Sequence, residues 1–265
     1  NGPDDRWHEG DPYERYIGRW SRPVADAFLA WLDPPASLRW LDVGCGTGAL
    51  TAAIAARCLP ATLVGIDPSR GFLAKARERV KGATFHVADA LALPLPGAAV
   101  DVVVSGLVLN FVGDTARGLA EMRRVTAPGG TVAAYVWDYG GKMALIRHFW
   151  DATVALDPGA RALDEGVRFP LCDADALATA WRAAGLDAVD VVPIDVPTVF
   201  RDFDDYWTPF LGGQGPAPAY AMSLAADARD RLRELLRRTL PARADGSIAL
   251  VARAWAARGR VGARP

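Results

Sequence analysis

The stretch Leu41-Asp42-Val43-Gly44-Cys45-Gly46-Thr47-Gly48 constrains the fold of this chain more than any other. The apolar run at 38–43 reads as a strand, and 48–57 reads as a helix. Glycines at alternate positions between them let the backbone turn sharply and let a ligand approach with no Cβ atom in the way. The helix that opens there offers amide N–H groups with no partner inside the helix. Strand–glycine loop–helix turns also occur without ligands, so the surrounding residues decide what this one is for.

The rest of the chain repeats the alternation. Strands are predicted at 62–66, 84–87, 100–105 and 131–137, with helices at 69–80 and 114–125 between them. Ser69 is placed to cap the first of these helices, and Pro128-Gly129-Gly130 closes the second. The run at 100–105 is β-branched without alternation, as in a strand buried on both faces. A helix at 173–184 has Asp173 as its cap and Gly185 just past its end. Residues 186–199 read as extended, and 247–255 alternate like a last strand. This order predicts an α/β fold: a Rossmann-like, doubly wound, mostly parallel sheet of seven strands. Residues 1–34 would form an N-terminal helical cap segment, rich in aromatics (Trp7, Tyr13, Tyr16, Trp20). The core would be 35–140, 171–199 and 247–258, and the insertions 141–170 and 200–246 would form a lid over an acceptor.

Two acids extend the glycine signal. Asp67, in Gly65-Ile66-Asp67-Pro68, ends the second strand about 20 residues after the loop, where a carboxylate can accept both ribose hydroxyls. The alternative is that it only caps the next helix, for which Ser69 is a rival. Asp89, in Ala88-Asp89-Ala90, follows the third strand, where it could accept an adenine amine while the Ala90 amide meets a ring nitrogen. In this order, and with the 101–111 run and the Pro-Gly-Gly turn, the chain resembles a class I S-adenosylmethionine-dependent methyltransferase. The resemblance is to the small-molecule group (methyltransferase type 11) that includes the ubiquinone/menaquinone-biosynthesis type.

That resemblance implies a cofactor, S-adenosylmethionine, with S-adenosylhomocysteine as its product. It implies Asp42, Gly44, Cys45 and Gly46 at the methionine end, Asp67 and Pro68 at the ribose, and Asp89 and Ala90 at the adenine. Ser105 and Gly106 would lie near the transferred methyl. The N-terminal segment would close over the cofactor through Tyr16, Arg19 and Trp20, with Arg19 on the methionine carboxylate. Family members often carry His where this chain has Asn110. The catalytic residue is left unknown; the candidates are Tyr16, Asp138 and His148. The expected reaction is in-line methyl transfer to a small molecule, apolar or aromatic on the strength of Trp150, Phe169, Trp207, Phe210 and Tyr220.

Composition narrows the alternatives. With 30 basic and 31 acidic side chains the net charge is −1, which does not suit a large nucleic-acid footprint. The Asn/Asp-Pro-Pro-aromatic motif of base methyltransferases is absent after the fourth strand. Cys45, Cys58 and Cys172, and His8, His86 and His148, show no metal-ligand spacing, so no metal is expected. No apolar run approaches the ~18 residues of a membrane span, and the opening residues do not read as a secretory signal, so a cytoplasmic location is expected. A nicotinamide-dependent oxidoreductase would also use an acid at position 67, but its loop runs Gly-x-Gly-x-x-Gly. A non-catalytic cofactor-binding or regulatory protein on the same fold stays open, because fold does not fix function.

Overall fold

Hydrophobic strands flanked by capped helices produce the architecture. The computed structural model describes residues 14–213 and 215–262; Trp7, His8 and Tyr13 lie outside them. The strands are β1 (Arg39–Val43), β2 (Thr62–Asp67), β3 (Thr84–Val87), β4 (Val100–Gly106), β5 (Thr126–Trp137), β6 (Leu186–Phe200) and β7 (Ile248–Val261). They form one seven-stranded sheet in the order β3-β2-β1-β4-β5-β7-β6. The pairs β1–β2, β1–β4, β2–β3 and β4–β5 are parallel. Strand order therefore reverses at β1, whose neighbours are β2 and β4, and such a reversal opens a crevice at the carboxyl ends of the strands.

The helices are α1 (Arg19–Leu32), α2 (Ala49–Arg57), α3 (Arg70–Arg79), α4 (Thr115–Val125), α5 (Ala144–Leu156), α6 (Glu165–Arg168), α7 (Ala174–Ala183), α8 (Phe203–Trp207), α9 (Pro216–Ser223) and α10 (Ala226–Thr239). A single π-turn, Glu14–Gly18, precedes α1. Ser69 caps α3 through the Phe72 amide, and Asp173 caps α7 through the amides of Asp175 and Ala176. No helix of the described residues is long and apolar enough to cross a membrane.

The chain divides into two compact units. The sheet unit holds 21–136, 171–194 and 254–262; the helical unit holds 14–20, 137–170 and 195–253. In the sheet unit Leu41, Val43, Val103, Val132, Ala134, Leu177 and Trp181 share one buried cluster. Val102 to Ser105 are all buried, as a strand covered on both faces requires. In the helical unit Phe149 stacks on Phe210 with ring centroids 4.6 Å apart, and the Tyr206 hydroxyl donates to the Leu145 carbonyl at 2.9 Å. Trp150, Phe169, Trp207 and Phe210 are buried members of this core and Tyr220 packs against Trp150. Their aromatic surface is thus spent largely on one another.

One boundary departs from the sequence expectation. β5 begins at Thr126 rather than 131, so Pro128-Gly129-Gly130 lies inside a strand. The segment runs along β4 with a register shift between Val100 and Val102. A Cβ on Gly130 would sit 2.6 Å from the Asp101 carbonyl oxygen, so the bulge needs glycine there.

Candidate functional site

The loop after β1 sits where the strand order reverses. The amides of Gly44 and Cys45 both donate to the Ile66 carbonyl at 2.9 Å, which ties the loop to β2. Gly44 has φ +72°, and a Cβ there would meet Val108 Cγ1 at 2.5 Å, so the β1 loop and the β4 loop touch at this point. Gly46 has φ +53°, and a Cβ there would have nothing within 4 Å. One glycine is required by packing. The other leaves the backbone open to approach.

Two carboxylates end β1 and β2. Asp67 accepts the Gly46 amide at 3.0 Å through Oδ2 and the Ser69 amide at 2.8 Å through Oδ1. Asp67 is therefore both the brace of the loop and a support for the next helix, whose cap is Ser69. Burial raises its carboxyl above the usual range, and the two amides oppose that. Asp42 is buried; its Oδ2 accepts the Thr51 hydroxyl of α2 at 2.6 Å, while its Oδ1 is buried with no hydrogen-bond partner among the described residues. Burial pushes its carboxyl up to about 7, Thr51 opposes this, and nearby Asp67 adds to it. Thr51 carries no motif signal, so its part was not legible in the sequence.

The thiol of Cys45 is buried and packs with Leu73, Ala76, Val80 and Phe85. Burial first, then Asp42 and Asp67, raise the thiol well above its ordinary range, so it stays protonated. After β3, the Ala88 amide donates to the Asp67 carbonyl at 3.3 Å, which brings this loop beside the end of β2. Asp89 Oδ1 accepts the Leu91 amide at 2.8 Å in a tight turn. Asp89 and Pro68 are exposed, and Ala90 is half-buried.

The loop after β4 is closely built. The Tyr135 hydroxyl fills the place of a Gly106 Cβ, 2.6 Å from where it would stand. Leu107 has φ +64°, a strained value for a non-glycine residue. The Ser105 hydroxyl is buried with no hydrogen-bond partner among the described residues. Asn110 Nδ2 donates to Cys172 Sγ at 3.3 Å, and its Oδ1 is buried without a partner among the described residues. Sequence separation hid that pairing.

The remaining candidates belong to the helical unit. Tyr16 is buried and packs edge-on to Phe210 at 5.2 Å; burial, then Glu165, hold its phenol well above the ordinary range. Arg19 Nη1 donates to Asp205 Oδ1 at 2.9 Å, and Trp20 packs edge-on to Phe200. Asp138 accepts the Lys142 amide at 2.8 Å and closes the turn before α5. His148 is half-buried on α5, and burial lowers its basicity against the pull of Asp151. Among the described residues no group of three or more His, Cys, Asp or Glu could hold a metal ion.

Parts of the chain are similar to known methyltransferases. Residues 41–134 match a family model described as a methyltransferase domain. Trans-aconitate 2-methyltransferase of Acidovorax sp. (strain JS42) is 35% identical over 133 residues, covering 49% of this chain and 51% of that one. Malonyl-[acyl-carrier protein] O-methyltransferase of Halorhodospira halophila is 32% identical over 181 residues, covering 61% and 60%. The chain thus spans about half the length of the first of these curated relatives. A solved phosphoethanolamine N-methyltransferase 2 of Haemonchus contortus, in complex with S-adenosylhomocysteine, shares the fold with a TM-score of 0.57 at 16% identity, covering 96% of this chain and 58% of that one.

Proposed function

We propose, from the premise that this chain carries a class I S-adenosylmethionine-dependent methyltransferase domain, that it is an enzyme moving a methyl group to a small-molecule acceptor. When bound, S-adenosylmethionine supplies a methyl on a positively charged sulfur. The observation that carries the reading is the Asp67 carboxylate braced by the Gly46 and Ser69 amides beside the open face of Gly46. The residues present fit the cofactor. A buried Asp42 oxygen and the Ser105 hydroxyl lack partners among the described residues at the ends of β1 and β4, and such groups call for a bound polar partner.

Asp67, with Pro68, would take the ribose; Asp89 and the Ala90 amide would take the adenine. Asp42, Ser105 and the backbone of Gly44, Cys45, Gly46 and Gly106 would hold the amino-acid end. The protein's contribution is positioning and exclusion of water. Both curated relatives are named for acceptors that carry free carboxylates. An acceptor already ionised at neutral pH needs no protein base, and Asp138 is committed to its turn.

Isothermal titration of S-adenosylmethionine and S-adenosylhomocysteine, with NADH as control, tests the reading. Micromolar binding of the first two and none of NADH is expected. Absence of binding by both would overturn it.

A further inference from the structure

The loop that follows β3 takes backbone partners from side chains of α4, and both lie in the sheet unit. In this loop Leu93 is buried and Leu91 and Leu95 are half-buried, while Ala92, Pro94 and Pro96 are exposed. Its β-pairing among the described residues is one bridge between its own Asp89 and Ala92. Arg117, Glu121 and Arg124 stand four and three positions apart, which sets them in one stripe along α4. Arg117 Nε donates to the Leu91 carbonyl at 2.9 Å, and Glu121 Oε2 accepts the Leu93 amide at 2.9 Å. Arg124 donates from Nη2 to the Leu93 carbonyl at 3.1 Å and from Nη1 to the Leu95 carbonyl at 2.9 Å. Arg124 is itself held by a two-pronged pair with Glu121, Nε to Oε1 at 2.6 Å and Nη2 to Oε2 at 2.7 Å.

The stripe thus answers alternate residues of the loop, as a neighbouring strand does. Leu93 already shares a buried cluster with Leu119 and Met122 of α4, so apolar packing anchors the loop. The polar bonds add direction, which hydrophobic contact lacks. The direction matters most at residues 89–91. Asp89 Oδ1 accepts the Leu91 amide at 2.8 Å, and Arg117 holds the carbonyl of the same Leu91. Leu91 is gripped at both backbone polar groups, Asp89 is oriented through it, and Ala90 lies between the two. Asp89 is exposed, so core packing does not aim its carboxylate. A binding group is only as selective as the groups that hold it in place.

We infer that Arg117, Glu121 and Arg124 are positioning residues for the adenine of the cofactor. Through the backbone of 91–95 they keep the Asp89 carboxylate and the Ala90 amide in binding geometry. The inference rests on the reading above, in which those two groups take the adenine.

S-adenosylhomocysteine and S-inosylhomocysteine, which has an oxo group in place of the adenine amine, are titrated into the full chain by calorimetry. Wild type should prefer the first by at least about tenfold, because a site built to bond an amine rejects the analogue that lacks it. Arg117→Gln and Arg124→Gln should weaken S-adenosylhomocysteine binding about five- to twentyfold, less than outright loss of a hydrogen bond to a charged group. Binding of S-inosylhomocysteine should stay within about threefold, so the preference largely disappears. Arg117→Lys keeps a donor for the Leu91 carbonyl and should recover most of it. Arg117→Gln changes one exposed side chain, so it remains informative if Arg124→Gln unsettles the fold. Variants that melt earlier but keep the wild-type preference would show a structural role alone and overturn the inference. So would a wild type that binds both ligands alike, which would take Asp89 and Ala90 from the adenine and leave the cofactor in place. Wild type that binds neither ligand would instead remove the methyltransferase reading itself, and this inference with it.

Discussion

Asp67 Oδ2 accepts the Gly46 amide at 3.0 Å, so the carboxylate that ends β2 holds the loop that follows β1. Brace and proposed ribose-binding group are one residue. Asp67→Ala removes the brace and the acceptor oxygens together. Hydrogen bonds to a charged group contribute about 1.5–3 kcal/mol each, so cofactor affinity should fall about ten- to a hundredfold. Burial already disfavours the charged form of Asp67, so the melting temperature should drop by only a few degrees, about what 1 kcal/mol causes in a chain of this size. Calorimetric titration and a melting curve on the same sample check both. Unchanged affinity would remove Asp67 from the site.

Gly44 and Gly46 should respond oppositely to alanine. In Gly44→Ala the new methyl meets Val108 Cγ1 at 2.5 Å on a backbone at φ +72°. Left-handed strain of about 1–2 kcal/mol adds to overpacking of about 1–3 kcal/mol, so the variant should lose several kcal/mol of stability. Val108→Ala in the same chain should restore part of it, since two of the three closest atoms are then gone. In Gly46→Ala the methyl meets nothing within 4 Å. Only the strain remains, and the larger effect should be a tenfold or greater loss of cofactor affinity. Urea unfolding and titration separate the two variants.

Cofactor affinity should depend on pH through Asp42. Its carboxyl is raised to about 7, chiefly by burial. Below that value it holds a proton, and a neutral carboxyl is a poor partner for a ligand ammonium. Affinity should therefore rise from pH 5.5 to 7, by at most about tenfold per unit for one linked proton. The amino group of the ligand stays protonated over this range, since α-amino groups titrate near ~7.7–8.0. Asp42→Asn should bind more weakly at pH 7 and show no such slope. A wild-type affinity flat across the window would refute the linkage.

Much of this was legible in the sequence because it is local. The glycine loop, the cap at Ser69 and the cap at Asp173 each depend on residues within a few positions, and the structure holds them as read. What could not be read depends on distant partners. The early start of β5 needs the bulge against Asp101, which the sequence shows only as a Pro-Gly-Gly turn. The Arg19–Asp205 pair joins residues 186 positions apart, and Asn110–Cys172 joins residues 62 apart. Asp42 was visible as a motif acid, but its perturbed carboxyl follows from burial and from Thr51. Tertiary environment sets that, and no local pattern encodes it.

Glu165 should make the protein less stable as pH rises. It is buried in the helical unit, with Oε2 accepting the Trp150 indole N–H, and burial raises its carboxyl to about 7. Between pH ~4.5, where the unfolded chain releases this proton, and pH 7, the folded protein still holds it. A raised acid therefore favours the folded state at low pH, and its contribution is lost at up to about 1.4 kcal/mol per unit as pH climbs, levelling off above the folded value. Arg39–Asp101 and Arg253–Asp195 hold their carboxyls low and act in the opposite sense at more acidic pH, so the comparison must be between variants. Glu165→Gln keeps an acceptor for Trp150 and has no proton to lose. Its stability relative to wild type should increase by about 2–3 kcal/mol from pH 5 to pH 8, measured by urea unfolding at each pH. A difference that stays constant across the range would show that Glu165 is ionised throughout and balanced by its hydrogen bonds.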